Sequence, residues 1–447
     1  MEGFAAIAAD AIEAQLRGAG MGAGPAASKA AMLARIHQGF DGTGPARAWF
    51  VPGRIEVLGK HTDYAGGRCL LAAVERGFCL IAAPRADRLV RLHDVDWQSR
   101  VEFELGDVPD AAANWARYPA AVARRLAQDF TQPWRGVDIA LASDLPRAAG
   151  MSSSSALLVA SLLAFAAAND LESGERFRRH LADRESLAAY AAAIESGRAY
   201  GPFAAHVGVG TYGGSEDHTA ILCCRPGELA VYSFCPTRRE RSVALPPDVT
   251  FVIAVSGVAA SKAHAVRDDY NRLARLPAAI VDRYNQTAST AVEYLAAIDS
   301  DIPALETALA AQSTGEFTGA ELHARWRQFR HEQHAALTVP DALVRNDWAA
   351  IGTCIDLSQA MAEADLGNQV EETVYLQSSA RRLGALAASS FGAGFGGSVW
   401  ALVPTAQAKT FKDAWKADYV ESFPVHAPQS QFFRTGAGPA ALELKIS

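Results

Sequence analysis

The pattern of hydrophobic and polar positions predicts a chain that mixes helices and strands. The Ala-rich stretch with scattered charges up to about Gln38 predicts helices on the outside of a domain. From Trp49, the run AWFVPGRIEVLG carries β-branched and aromatic residues around Pro52 and Gly53, which predicts a strand that contains a turn. Residues 100–105, RVEFEL, alternate apolar and charged side chains, as a half-exposed strand does.

The same reasoning divides the rest of the chain into two regions. Before residue 245 it predicts an amphipathic helix over 114–130, a buried strand over 137–142, helices over 156–169 and 174–197, and strands over 218–224 and 229–234. After it come a strand over 249–256, about 130 residues of helical periodicity, and a Gly-rich turn that runs into a strand over 399–403. The sum is an α+β fold of two mixed domains, 1–245 and 246–447, with no repeat or linker at the boundary.

Composition and charge exclude several classes of function. The chain has 447 residues, 50% of them hydrophobic and 20% charged, which is the balance of a globular protein with a real core. A formal net charge of -7 gives no reason to expect a nucleic acid or an anionic membrane as partner. The most apolar stretch, 156–168, is shorter than the roughly 20 residues that cross a bilayer.

The N-terminal segment and the cysteines predict a cytoplasmic location. MEGFAAIAADAIEAQL lacks the basic start and apolar run of a secretory signal. The six cysteines form no CxxC pair and lie in apolar runs, so we expect reduced thiols inside the fold.

A serine-rich segment, DLPRAAGMSSSSA at 144–156, is the first candidate for chemistry. Small residues and Gly150 lie between a predicted strand and a predicted helix, with four serines at the helix start. Backbone N–H groups at such a helix start can bind phosphate, and hydroxyls there can bind phosphate or magnesium. It is not a Walker A loop, because no GKS or GKT is present. The alternative is a serine-rich N-cap on an ordinary helix.

A polar segment after the first predicted strand is the second candidate. PGRIEVLGKHTDYAGG, 52–67, packs five polar residues between turn glycines: Arg54, Lys60, His61, Asp63 and Tyr64. Such a cluster costs desolvation free energy unless its groups meet a ligand or each other, and sugars are bound by side chains of these types. The alternative is a solvated surface turn.

A glycine-rich turn is the third candidate. SSFGAGFGGSVWALV, 389–403, places Gly392, Gly394, Gly396 and Gly397 before a strand, where a Rossmann fingerprint would place them between a strand and a helix. Alone, such a turn is weak evidence, since many glycines only permit tight turns.

Together and in this order, the three segments resemble the motifs of the GHMP kinase superfamily, specifically its galactokinase branch. The polar segment resembles the signature GRVNLIGEHTDYNGG, the serine segment is similar to PxGxGLSSSAA, and GAGFGGS is similar to GGGFGGC. GGSEDHTAIL at 213–222 stands in the place of the family's GxMDQ segment. AVRDDYNRL at 265–273 and the ending TGAGPAALEL also correspond. The resemblance covers about residues 35–447.

The resemblance implies a two-domain fold and a reaction. The N-terminal domain would be of the ribosomal S5 domain 2 type and the C-terminal domain ferredoxin-like, with ATP and sugar in the cleft between them. The expected activity is Mg²⁺-dependent transfer of the γ-phosphoryl group of ATP to the anomeric hydroxyl of galactose or a close analogue. The expected partners are ATP and a small sugar, for a monomer or weak homo-oligomer.

The resemblance also implies roles for individual residues. Asp217 would accept the proton of the attacking hydroxyl, and Arg54 would stabilise the transferring phosphoryl group. Ser154 and Glu195 would bind magnesium, and Lys60, His61, Asp63 and Tyr270 would contact the sugar. The ATP phosphates would meet Ala149, Gly150, Met151, Ser152, Ser153, Ser154 and Ser155. Trp97, Trp115 and Tyr118 are candidates for the adenine pocket.

The chain departs from the family pattern at Lys60, where galactokinases have Glu. A lysine cannot accept a hydrogen bond from a sugar hydroxyl but pairs well with a carboxylate. This raises the hypothesis of a uronic acid substrate such as galacturonate. The alternative is that Lys60 turns away or pairs with an acid such as Glu216. Milder departures are SEDH for MDQ, Ala148 and Ala149 for loop glycines, and Ser398 for Cys.

Two other functions stay open on the sequence. One is a related sugar kinase for N-acetylgalactosamine, arabinose or a uronate. The other is a sugar- and ATP-binding regulator without turnover, against which the retention of Arg54 and Asp217 argues.

Overall fold

The computed structural model describes residues 8–105, 115–259, 264–286, 288–299, 302–311 and 313–446. In these residues the α-helices are α1 Ala9–Gly18, α2 Ala23–Gln38, α3 Arg117–Asp129, α4 Ser153–Ala168, α5 Glu175–His180, α6 Arg184–Ser196, α7 Glu216–Cys223, α8 His264–Asn285, α9 Ile302–Ala311, α10 Gly319–Val344, α11 Trp348–Met361, α12 Glu371–Arg382 and α13 Ala408–Ser422. The strands are β1 Arg47–Leu58, β2 Arg68–Pro84, β3 Leu89–Asp94, β4 Ser99–Glu104, β5 Val137–Ser143, β6 Glu228–Ser233, β7 Arg238–Ala244, β8 Val249–Val255, β9 Ala387–Phe391, β10 Ser398–Pro404, β11 Gln431–Thr435 and β12 Leu442–Leu444.

The first sheet is covered on both faces because its strands alternate between two apolar sets. Its order is β12-β1-β2-β5-β3-β4, with β6 and β7 added beside β2. On β1, Phe50 packs with the helices α1 and α2, whereas Trp49 and Val51 face the core that includes α4. Since successive side chains of a strand point to opposite faces, this alternation lets one strand contribute to two layers. The α4 helix lies within this core, and most of its residues are apolar and buried.

The second sheet has the order β11-β8-β10-β9 and is antiparallel throughout. One face of β8, with Val252 and Ala254, packs against α12 and α13, and the other face, with Phe251 and Ile253, joins the core of the first sheet. The strands change from one sheet to the other between Ala244 and Val249, but β12 returns to pair with β1. The two sheets are therefore not built from two contiguous halves of the chain.

Most sequence-predicted elements are confirmed, and one is wrong. Residues 218–224 were expected to form a strand, but 216–223 form the helix α7. The run HTAILCC is rich in β-branched and apolar residues, and such a short run fits a buried strand or a buried helix equally well. Glu216 and Asp217 in the first turn favour the helix, because the N-terminal end of a helix attracts negative charge. The predicted start of the helix at residue 114 lies outside the described residues.

Two further expectations concern the cysteines and membranes. None of the six cysteines, all of which lie in described residues, forms a disulfide. Cys69, Cys79, Cys223 and Cys224 are buried as expected, but Cys235 is exposed in a turn. Within the described ranges, no helix combines the length and apolar character needed to span a bilayer.

Candidate active site

A cleft of about 910 Å³ brings together the three segments singled out from the sequence. This volume lies in the range of small-molecule sites. Parts of the serine segment, the start of α7, the turn after β1 and the start of the glycine turn line it. Backbone contacts between the serine segment and the glycine turn explain the glycines there. A Cβ on Gly392 would lie 2.7 Å from the carbonyl oxygen of Gly150, and both residues have positive φ.

Arg54 and Asp217 form the centre of this cleft. Arg54 Nη2 lies 2.7 Å from Asp217 Oδ1, and the Arg54 guanidinium also donates to the carbonyl oxygen of Gly150. The Arg54 side chain is only 4% exposed, whereas that of Asp217 is 29% exposed towards the cleft. Burial favours the neutral form of Asp217, but the Arg54 charge outweighs it and holds the pKa of Asp217 below its usual value. Asp217 is therefore an ionised acceptor at neutral pH.

Oxygen atoms beside Asp217 offer a place for a hard divalent cation. Ser155 Oγ lies 2.9 Å from Glu195 Oε2 and 3.3 Å from Asp217 Oδ2. The buried Ser152 hydroxyl also lies at this cleft, within reach of Asp217. Hydroxyl and carboxylate oxygens are the ligands that Mg²⁺ prefers, so this donor set fits magnesium.

On the other side of Asp217, the turn after β1 presents polar groups that suit a sugar. Asp63 accepts hydrogen bonds from Tyr64 N at 2.9 Å and from Glu216 N at 3.0 Å, which fixes its carboxyl group. The His61 ring lies 2.8 Å from the hydroxyl of Tyr64 through Nδ1, and its centroid is 5.4 Å from that of Tyr270. Burial, reinforced by nearby cations, lowers the pKa of His61 to about 4, so its imidazole is neutral at neutral pH.

Part of the cleft wall is aromatic and basic. Trp97, Trp115 and Tyr118 all line it, as the sequence suggested for an adenine pocket. Trp97 is 63% exposed and stacks against Arg147, whose Cζ lies 3.7 Å from the ring centroid. Arg117 also lines the cleft. Aromatic faces and guanidinium groups together suit a nucleobase and its phosphates.

Comparison with known proteins identifies the chain. The model of the galactokinase galactose-binding signature matches residues 37–84, that of the GHMP kinases N terminal domain residues 117–208, and that of the GHMP kinases C terminal residues 341–421. The galactokinase of Roseiflexus sp. (strain RS-1) is 30% identical over 366 residues, which cover 81% of this chain and 84% of that protein. This chain belongs to the galactokinase family. It is thus a sugar kinase, a phosphotransferase of the GHMP superfamily.

Three further comparisons bear on the family or on the fold. The galactokinase of Chloroflexus aggregans is 28% identical over 398 residues, which cover 87% of this chain and 92% of that protein. The crystal structure of Lactococcus lactis galactokinase complexed with galactose has a TM-score of 0.75 at 21% identity, covering 93% of this chain and 99% of that one. The mevalonate kinase of Methanococcus jannaschii has a TM-score of 0.58 at 12% identity, covering 89% of this chain and 99% of that one, and so shares the fold. The predicted GHMP kinase fold is confirmed.

Within this galactokinase-family fold, Lys60 does not reach the cleft. Its side chain is 2% exposed, and its Nζ donates to Ser358 Oγ on α11 at 2.7 Å. Ser358 donates in turn to Glu332 Oε1 on α10 at 2.5 Å, and Glu332 Oε2 accepts from Gly59 N at 2.7 Å. The geometry therefore corrects the expectation that Lys60 contacts the sugar. A buried cation needs a compensating charge, and Glu332 supplies it through Ser358.

The serines of the serine segment differ in burial and contacts, and the sequence did not predict which of them meets the acids. Ser153 and Ser154 line the cleft and are partly exposed, whereas the buried Ser155 makes the contacts to Glu195 and Asp217. Met151 is buried beneath the loop, and its carbonyl oxygen accepts from Arg54 N at 3.4 Å. Of the serines, Ser155 is thus a second candidate for the magnesium ligand expected at Ser154.

The remaining predicted residues divide between the cleft and the structure behind it. Ala149 lines the cleft, and its carbonyl oxygen accepts a hydrogen bond from Ser398 Oγ at 2.6 Å, which joins the serine segment to β10. Gly394 packs against Asn368, where a Cβ would lie 2.3 Å from a carbonyl oxygen. Gly396 and Gly397 have positive φ and do not line the cleft. Their role in the structure is conformational.

Sequence reasoning did not single out the cleft residue Glu56. It lies on β1 two residues after Arg54, is 2% exposed and lines the cleft. The signal was present, because the family signature quoted above has Asn at this position.

Proposed function

We propose that this protein transfers the γ-phosphoryl group of ATP to the anomeric hydroxyl of galactose or a close neutral analogue. The 2.7 Å contact between Arg54 and Asp217 carries the proposal, since it lies between the polar turn and the serine segment. A sugar hydroxyl held by His61, Asp63 and Tyr270 would meet a carboxylate on one side and bound phosphates on the other.

The chemistry follows from these positions. The anomeric oxygen forms a bond to the γ-phosphorus while the bond from that phosphorus to the bridging oxygen of ADP breaks. The proton of the hydroxyl passes to Asp217, which Arg54 keeps ionised. The Arg54 guanidinium faces the transferring phosphoryl group and stabilises its negative charge. Backbone N–H groups at the start of α4 orient the other phosphates.

The metal site is part of this proposal. Glu195, with Ser155 or Ser154, would hold Mg²⁺, whose oxygen ligands these are. When bound, the ion neutralises negative charge on the ATP phosphates. The protein's own part is to fix the donor oxygens: the 2.9 Å hydrogen bond from Ser155 to Glu195 holds the two cleft-lining groups relative to each other.

The charges of the cleft favour a neutral sugar over a uronate. Lys60, on which the uronate hypothesis depended, contacts Ser358 outside the cleft. The sugar side is lined by carboxyl groups, among them Asp63 and Asp217, and a further carboxylate on the sugar would be repelled.

The test is ADP release with Mg-ATP across galactose, galacturonate, glucuronate, arabinose and N-acetylgalactosamine. We expect turnover with galactose or another neutral sugar and little with the two uronates. Preference for a uronate would overturn the choice of substrate, and the absence of turnover with every sugar would overturn the proposed reaction.

A further inference from the structure

The turn after β1, residues 59–67, has a backbone shape that local preference does not explain. It carries His61 and Asp63, two of the residues proposed to hold the sugar. Gly59 and His61 have φ values of 105° and 59°. A residue with a Cβ rarely adopts this left-handed conformation unless its surroundings hold it there. Contacts from outside the turn can supply that restraint.

Two side chains of α10 donate hydrogen bonds to consecutive carbonyl groups of this turn. Arg325 Nη2 donates to the carbonyl oxygen of His61, and Gln328 Nε2 donates to that of Lys60 at 3.0 Å. Arg325 Nη1 also donates to Gln328 Oε1. Because a guanidinium has only donors, this contact fixes the amide with its oxygen towards Arg325 and its N–H groups towards the turn.

The same helix binds the two ends of the turn. Gly59 N donates to Glu332 Oε2 at 2.7 Å, and Arg68 N, directly after the turn, donates to Gln333 Oε1 at 2.9 Å. Positions 325, 328 and 332 are spaced by three and four residues, so their side chains lie on one face of α10. One helix face therefore contacts the beginning, the middle and the end of the turn.

These α10 side chains act on the backbone of the turn and not on a ligand. Arg325, Gln328 and Glu332 are each 0% exposed, and none of the three lines the cleft. A buried carbonyl or N–H group that loses its partner costs free energy, so each of these hydrogen bonds favours one position of the turn.

The position of the turn matters for the reaction because the turn contacts the start of α7. Asp63 Oδ2 accepts from Glu216 N at 3.0 Å, and Glu216 directly precedes Asp217. A shift of the turn would therefore move the proposed sugar-binding groups relative to the proposed base. Small displacements of this kind are costly in a reaction that depends on alignment.

We propose that Arg325, Gln328 and Glu332 are positioning residues that hold the turn after β1 in the shape that binds the sugar. The proposal rests on the proposed function, in which this turn meets the sugar and the serine segment meets ATP. Sugar affinity is then set in part by a buried helix from the second half of the chain, which touches neither substrate.

The first test is the kinetics of Gln328→Met and Gln328→Glu with varied sugar and with varied ATP. Both changes keep the side-chain length and remove the N–H group that faces the carbonyl oxygen of Lys60. The KM for the preferred sugar should rise about tenfold in each variant, whereas the KM for ATP should change less than about twofold.

The control is Asn169→Leu, which also replaces a buried amide by an apolar side chain. Asn169 is 5% exposed, accepts from Arg135 N at 2.8 Å and does not line the cleft. This variant should lose stability in urea and keep the sugar KM of the wild type. An unchanged sugar KM in both Gln328 variants, or an equal rise in Asn169→Leu, would overturn the proposal.

A second measurement, amide hydrogen exchange, does not depend on turnover. Within the turn, Thr62 N donates to the carbonyl oxygen of Gly59 at 3.0 Å and Gly67 N to that of Thr62 at 2.9 Å. In Gln328→Met a peptide covering residues 59–67 should exchange about tenfold faster, while β10 keeps its wild-type rate. Equal exchange of this peptide in the two proteins overturns the restraint by α10. If the wild type phosphorylates no sugar, the proposed function fails, and the exchange of the turn still decides whether α10 holds it.

Discussion

Replacing Lys60 with Met tests whether this residue supports the fold or binds the substrate. The Lys60 ammonium donates to Ser358 Oγ at 2.7 Å, and Ser358 donates to Glu332 at 2.5 Å. Methionine fills a similar volume but removes the charge and the donor. Ser358 then loses the hydrogen bond that Lys60 donates to it, and Glu332 remains as a buried carboxylate with less compensation.

The expected cost follows from the burial of this network. Removing one partner of a buried charge pair typically costs 3–5 kcal/mol, because the other charge stays buried. We expect about 3 kcal/mol in the free energy of unfolding, near the lower end. Glu332 keeps its hydrogen bonds from Ser358 and Gly59, and the buried Arg325 lies near enough to interact with it. The double variant Lys60→Met, Glu332→Gln should cost less than the sum of the single changes by about 1 kcal/mol or more.

Urea denaturation gives the unfolding free energies of the wild type, Lys60→Met, Glu332→Gln and the double variant. Sugar kinetics give KM. The exposed Lys416→Met on α13 is the control for a lost lysine, with an expected change of no more than about 0.5 kcal/mol. KM for the preferred sugar should change little in Lys60→Met, because Lys60 does not line the cleft. A Lys60→Met variant of unchanged stability whose KM for the sugar rises strongly would refute the reasoning. It would indicate that Lys60 contacts the substrate.

Three other changes probe the cleft. Asp217→Asn should lower kcat by about 100- to 10,000-fold while ATP binding by calorimetry is retained, since a general base is lost; a near-normal kcat would remove Asp217 from that role. Ser155→Ala should raise the Mg²⁺ concentration needed for half-maximal activity about tenfold, and more than Ser154→Ala does; a larger effect of Ser154→Ala would favour the original assignment. Gly392→Ala should destabilise the protein by more than Gly384→Ala in thermal unfolding, because both positions have positive φ but only Gly392 would bring its Cβ into contact, at 2.7 Å from a carbonyl oxygen. Equal losses would show that this contact does not matter.

The sequence predicted the family and most of the fold because its motifs combine unusual residues in a fixed order. Gly150 and Gly392 were singled out as separate loops, and the structure places their backbones in contact. Such motifs constrain local backbone geometry and ligand contacts at once, so their order along the chain carries much information. The helix α7 was mistaken for a strand because its eight residues are too few to show a helical period.

The direction of individual side chains could not be predicted. Lys60 differs from the family pattern by a charge reversal, which suggested an anionic substrate. Its actual partners, Ser358 and Glu332, are about 300 and 270 residues away along the chain. Likewise, which of four consecutive serines contacts Glu195 depends on where α4 begins, and helix ends are the least predictable part of an element.

The most direct test of the account is to identify the product of the purified protein with Mg-ATP and galactose by phosphorus and proton NMR. The account predicts one equivalent of ADP for each sugar phosphate, with phosphorus coupled to the anomeric proton. The same mixture with Asp217→Asn should form that product far more slowly. A phosphate on any other hydroxyl, or ADP formed without a sugar phosphate, would contradict the placement of the anomeric hydroxyl between Asp217 and the bound phosphates.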